Sequence, residues 1–328
     1  LFINVIDLAM ATQDISFTSF GLVVLDEIRF PNREPLTNVL GGSGAYEILH
    51  SDVRQSLRSL GLSLVQLHPS GLLSIPKNAQ ADPSPAKDFK YTTPVLAPRE
   101  SSLEGTALLK SRVYHYLASP QDITACVSNL STQRKRSDIS EYPLVIWEPA
   151  PLSCTPENLQ ACLDAASVVD VFSPNHLELV SLFAEPLSTA SDKNSIERLA
   201  LTFLDRGIGP DGKGTVIVRA GEQGCVIATR NLAPTWVPPF YVREMGERQN
   251  RKVIDSTGAG NAFLGAYAVG YLKTGNVVEA ACYGSVGASF ILEQVGVPEK
   301  TNLGDGELWN GVDVLSRLRE YMPKCPRS

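Results

Sequence analysis

The stretch that most constrains this chain is V-I-D-S-T-G-A-G-N-A-F-L-G-A-Y-A-V-G-Y-L, from Val253 to Leu272. Asp255, Ser256 and Thr257 close an extended segment, Gly258-Ala259-Gly260 make a turn that only near-naked backbone follows, and helix formers run on from Asn261. The first N–H groups of such a helix lack internal partners and carry the positive end of its dipole. The turn therefore suits an anion such as phosphate. Glycines at a helix entry also serve purely steric ends, so the turn alone leaves both readings open.

From Pro143 onward the pattern is a regular alternation. Leu144–Trp147, Val168–Phe172 and Gly214–Val218 read as strands, and Pro156–Ala166, Asn175–Phe183, Ser195–Leu204 and Val277–Leu292 as helices. Earlier, Val113–Leu117 reads as a strand with a helix from Pro120, and Thr18–Phe30 as a strand or a bent pair of strands. A helix is expected after Gly41-Gly42-Ser-Gly-Ala-Tyr46, running to about residue 60, and a closing helix over Trp309–Tyr321. Strands and helices in alternation imply right-handed βαβ units and a mostly parallel sheet, whose ligands bind at the C-terminal ends of the strands. Ala280, Gly284 and Ala288 make a stripe of small residues that lets helices approach closely.

Composition narrows the class. A 328-residue chain with 43% apolar residues buries a large core, and a formal net charge of −6 argues against a nucleic-acid partner. The one basic cluster, Arg134-Lys135-Arg136, reads as a solvated loop. No apolar run is long enough for a bilayer, and Leu1–Asp7 lacks a basic signal-peptide region, so a cytoplasmic protein without a membrane partner is expected. Six scattered cysteines with no C-x-x-C pair read as reduced and structural.

The run Asp255-Ser-Thr-Gly-Ala-Gly-Asn261 resembles the C-terminal signature of the PfkB (ribokinase-like) carbohydrate kinases, roughly D-T-x-G-A-G-D. The resemblance implies a single ribokinase-like α/β domain over 1–328: a central, mostly parallel sheet flanked by helices, with a small reduced β lid from about 18–42 and 72–118. It implies ATP with Mg2+ and a small-molecule substrate bearing a hydroxyl. Gly258, Ala259 and Gly260 would form the anion hole for the transferring phosphoryl group, with Thr257 beside the nucleotide. Position 261 carries the family's proton-accepting Asp. Asn261 departs from it, because a neutral amide orients a hydroxyl but cannot take its proton. An Asp restored at 261, facing the helix dipole, is expected to stay ionised and to be tolerated.

Other residues extend the resemblance. Asn175 and Glu178, in Ser173-Pro-Asn-His-Leu-Glu178, match an N-x-x-E pattern that places magnesium and phosphates through water; the same spacing also makes an ordinary helix cap. Arg219-Ala-Gly-Glu-Gln-Gly224 matches the nucleotide loop at Gly221 and Gly224 and departs from it at Arg219, which pairs with phosphate or lies on the surface. Asp26 and the Gly41-Gly42 pair stand where the family holds its acceptor. Tyr46 replaces the usual Asn, and is either a sign of a larger, less polar substrate or a core residue. Asp255 is assigned to a monovalent cation, K+. Trp147-Glu-Pro-Ala-Pro, Ser173-Pro-Asn, Phe263-Leu-Gly265 and Glu293-Gln-Val-Gly together resemble the fungal maintenance-of-killer subgroup. The competing functions are an ATP-dependent phosphotransferase, a nucleotide-binding pseudokinase or scaffold, and a pocket turned to other chemistry on a metabolite.

Overall fold

The computed structural model describes residues 17–21, 24–30, 33–41, 73–74, 90–91, 99–243, 246–247, 249–303 and 306–326, with backbone alone for 24–91 and 302–307. In chain order the strands are β1 (Phe17–Ser19), β2 (Val24–Phe30), β3 (Arg33–Gly41), β4 (Leu73–Ser74), β5 (Lys90–Tyr91), β6 (Val113–Ala118), β7 (Leu144–Pro149), β8 (Val171–Phe172), β9 (Thr215–Arg219), β10 (Cys225–Thr229), β11 (Leu232–Val237), β12 (Lys300–Leu303) and β13 (Gly306–Trp309). The described α-helices are α1 (Pro120–Arg136), α2 (Leu159–Ala165), α3 (His176–Leu182), α4 (Lys193–Arg206), α5 (Ala259–Thr274), α6 (Val277–Leu292) and α7 (Val314–Tyr321).

Seven strands form the central sheet in the order β1-β6-β7-β8-β9-β10-β11. The first five are mutually parallel, and β10 runs antiparallel to both neighbours. This is the mostly parallel α/β sheet that the alternation implies. Successive side chains of a strand point to opposite faces, and the apolar residues follow that period on both. Tyr114, Tyr116, Val145, Trp147, Phe172, Val216 and Val218 pack on one face with α1 to α4. Val113, Ile146, Val171 and Ile217 pack on the other with α5, α6 and α7.

The same alternation carries polar residues onto the second face. One step of two beyond Val113, Ile146, Val171 and Ile217 come His115, Glu148, Ser173 and Arg219 on the α5 face, His115 in mid-strand and the other three at the C-terminal ends of β7, β8 and β9. Glu148, Ser173 and His115 are buried, and a buried charge such as that of Glu148 is tolerated only when paired.

Several elements differ from expectation. Thr18–Phe30 divides between two sheets: β1 joins the central one, and β2 pairs with β3 in a separate hairpin. The expected helix over Pro156–Ala166 is broken into a 3-10 turn, the short α2 and a second 3-10 turn. Strand β8 keeps only the last two residues of its expected span. Trp309 ends a strand, and the closing helix begins at Val314, capped by Asp313, whose side chain accepts from Ser316 N at 2.7 Å. The basic cluster is the last turn of α1. Arg134 is buried there because three carbonyls need its donors: Nη1 donates to Leu109 O (2.6 Å) and Ser111 O (3.1 Å), and Nη2 to Glu141 O (2.9 Å). The six cysteines are free. No described helix is long and apolar enough to cross a membrane.

Candidate active site

Helix α5 starts where it does because Gly258 holds the left-handed conformation, φ 82°, as its N-cap residue. Ala259 N bonds back to Ser256 O (3.2 Å), and Asp255 accepts from Thr257 N (3.0 Å), so the turn is closed by its own short-range bonds. Ala262 N donates to Gly258 O, beginning the helical ladder. Gly260 has a separate reason to lack a side chain: a Cβ there would collide with Nη1 of Arg219.

Arg219 is the last residue of β9, and its side chain is 11% exposed. Its Nη1 pairs with Glu148 Oε1 at 2.8 Å, its Nη2 donates to Ser173 O at 2.9 Å, and Glu178 Oε2 lies 3.8 Å from Nη2. The guanidinium thus lies directly beneath the glycine turn. Glu148 Oε2 in turn accepts from Asn261 Nδ2 at 2.8 Å, with His115 Nε2 3.5 Å away. His115 Nδ1 reaches Ser19 Oγ at 3.3 Å. Burial alone would raise the Glu148 carboxyl; the adjacent Arg219 charge and the His115 contact outweigh it and hold the group below the usual carboxylate range.

Glu178 and Asn175 form a full capping box on α3, with Asn175 N donating to Glu178 Oε2 (2.7 Å) and Glu178 N to Asn175 Oδ1 (2.8 Å). Burial pushes Glu178 up to about 7 against the pull of Arg219, with the Glu148 charge adding to the rise. Of the two readings of N-x-x-E, the cap is therefore present, and it is built against the Arg219 cluster. Gly221 (φ 55°) and Gly224 (φ 87°) frame the turn between β9 and β10. A side chain at Gly224 would run into the backbone of Val237.

Gly258, Ala259, Gly260, Asn261, Arg219, Asn175 and Glu178 thus come together at one end of the sheet. Asp26 and Gly41 lie in the β2–β3 hairpin, where Asp26 pairs with Val39 and Gly41 with Val24. Gly42 and Tyr46 lie outside the described residues. Among the described residues no group of three or more His, Cys, Asp or Glu side chains could hold a metal ion. Glu178 Oε2 accepts from Asn175 N within its own cap, and Asp255 Oδ1 accepts from Thr257 N.

Sequence reasoning missed Glu148, His115 and Ser173. Glu148 stood in view within Trp147-Glu-Pro-Ala-Pro; its signal is a carboxylate in phase with Ile146 at the end of a buried strand. It also bears on the expectation for Asp at 261. A carboxylate there would face not only the helix dipole but Glu148 at hydrogen-bond distance, and two such groups cannot both ionise freely.

The chain matches the pfkB family of carbohydrate kinases over residues 91–302. It belongs to that family. An uncharacterised protein of Schizosaccharomyces pombe is 30% identical over 343 residues, covering 94% of this chain and 93% of the relative. The Saccharomyces cerevisiae protein MAK32 is 29% identical over 217 residues, 64% of this chain and 56% of its own length. Among solved structures, a fructokinase from Vibrio cholerae with fructose, ADP and calcium ion bound superposes with a TM-score of 0.58 at 15% identity, covering 94% of this chain and 99% of that one. The ribokinase of Thermotoga maritima gives 0.51 at 16% identity over 94% and 99%. At such identities these two establish the ribokinase-like fold alone, in agreement with the sheet described above.

Proposed function

We propose that this family member is an ATP-dependent phosphotransferase acting on a hydroxyl of a small molecule. The observation that carries the reading is the convergence of the α5 N-terminus, opened by Gly258, with the Arg219 guanidinium at the C-terminal ends of β7 and β9. The positive end of a helix dipole and a guanidinium held against Gly260 lie together there, which is what developing phosphoryl charge requires. Phosphoryl transfer depends mainly on positioning and electrostatics, and Asn261 orients an acceptor hydroxyl without taking its proton. Gly221 and Gly224 line the nucleotide side. Asp26, Gly41, Gly42 and Tyr46 belong to the acceptor side, with the β2–β3 and β4–β5 hairpins as a small lid. Magnesium would supply the counter-charge to the nucleotide phosphates.

One observation favours a second reading, a nucleotide-binding pseudokinase or scaffold: Glu148 already neutralises Arg219 and occupies the Asn261 amide. Calorimetry and thermal melting with MgATP, followed by ADP release, separate the two. Binding to the native state alone should raise the melting temperature, by about 2.7 kcal/mol of stabilisation at a hundredfold excess over Kd. Binding with ADP release supports the phosphotransferase, and binding without it the scaffold. No heat and no shift at millimolar nucleotide defeats both.

A further inference from the structure

The buried carboxylate that touches the first turn of α5 comes from β7. Glu148 Oε2 accepts from Asn261 Nδ2 at 2.8 Å, while its Oε1 is held by Arg219 at 2.8 Å. An amide has no basic lone pair for a hydroxyl proton; the carboxylate it is bonded to has one. Resting on the phosphotransferase reading above, we propose that Glu148 is the catalytic residue that takes the acceptor's proton, with Asn261 orienting the hydroxyl beside it.

In that step the acceptor oxygen bonds to the terminal phosphorus of the nucleoside triphosphate. The bond from that phosphorus to the bridging oxygen breaks, and the bridging oxygen leaves with the electron pair on the diphosphate. The hydroxyl proton passes to Glu148 Oε2. With water as acceptor the products are the diphosphate and inorganic phosphate.

The groups facing Glu148 come from three other elements: His115 from β6, Arg219 from β9 and Asn261 from α5, with Glu178 of α3 on the far side of Arg219. Arg219 also abuts Gly260, where phosphoryl charge would sit. A guanidinium shared between two anions holds each less tightly. Phosphate arriving at the turn therefore weakens the Arg219 hold on Glu148 and makes the carboxylate a better proton acceptor when the hydroxyl is in place. A purely structural ion pair would gain nothing from a carboxylate moved to position 261, and this separates the two roles.

The test is MgATP affinity by calorimetry and ADP release, with water as acceptor, for the wild type, Glu148→Gln, Asn261→Asp and the double Glu148→Gln/Asn261→Asp. Glu148→Gln should bind ATP at least as tightly as the wild type, since Arg219 is then no longer shared, and lose turnover by about 10²-fold or more, as loss of a general base does. The double, which keeps one carboxylate and one amide in the cluster, should recover at least about tenfold of that loss. Asn261→Asp alone sets two carboxylates in contact and should be no faster than the wild type. Wild-type turnover by Glu148→Gln overturns the proposal and leaves the phosphotransferase reading standing. So does a folded, ATP-binding double no faster than Glu148→Gln. Should Glu148→Gln not fold, the double decides alone, and turnover about 10²-fold below the wild type overturns the proposal. A wild type that binds no ATP overturns the reading beneath it as well.

Discussion

Gly260 shows how one residue serves two requirements. It sits in the first turn of α5, where alanine is the better helix former by about 0.5–1 kcal/mol. Yet any side chain there meets Nη1 of Arg219, whose guanidinium is fixed by Glu148 and by Ser173 O. Gly260→Ala should therefore displace the guanidinium, loosen its buried pair with Glu148 and lower the melting temperature as well. MgATP affinity should fall about tenfold, the equivalent of one charge-assisted hydrogen bond. Calorimetry beside a thermal melt checks both halves, and a large loss of stability with unchanged affinity would contradict the account.

Between elements, the α5–α6 pair fixes the height of the glycine turn over the sheet. A Cβ on Gly284 would stand 2.7 Å from the ring of Phe263, and one on Gly270 would stand 2.8 Å from Tyr283. The Ala280, Gly284 and Ala288 stripe is thus a packing surface, as its spacing implies. Phe263 is two residues from Asn261, so pushing the helices apart also shifts the site. Gly284→Ala should cost about 1–3 kcal/mol, the usual range for overpacking, and weaken nucleotide binding as well. Denaturant unfolding and calorimetry on the same variant measure the two effects. Unchanged binding in a destabilised protein would place the strain in α6 rather than α5.

For the whole molecule, the opposite end of the sheet carries a stability term of its own. Asp170, before β8, accepts from Val145 N at 2.7 Å and lines a cavity of ≈ 370 Å³ with Arg112, Arg134 and Tyr142. Burial pushes its carboxyl up to about 6 from 3.8; the Val145 bond opposes the rise and Asp211 adds to it. Because the folded state prefers the protonated form, this contribution is fully present below about pH 4 and is lost as pH rises through about 6. Asp170→Asn keeps an acceptor for Val145 and removes the titration. Between about pH 4 and 7 the wild type should lose on the order of 2–3 kcal/mol relative to that variant. Melts across this window test the sign: parallel curves would remove Asp170 from the account.

What was legible without coordinates is what neighbouring residues decide among themselves. Period-two apolar runs make β6, β7 and β9, three glycine-rich residues make the α5 entry, and Asn175 with Glu178 makes a cap. Each rests on contacts a few residues apart, so pattern alone suffices, and the match of Asp255–Asn261 to a family signature supplied the fold. The cluster beneath the turn is of another kind. Asn261 and Glu148 are separated by 113 positions, and Arg219 comes from a third element, β9. Strand order and register bring them to one face, and no local propensity encodes that. Asn261 in isolation is a lost carboxylate. Only the packing of α5 over β7 shows that a carboxylate, Glu148, is within reach of its amide.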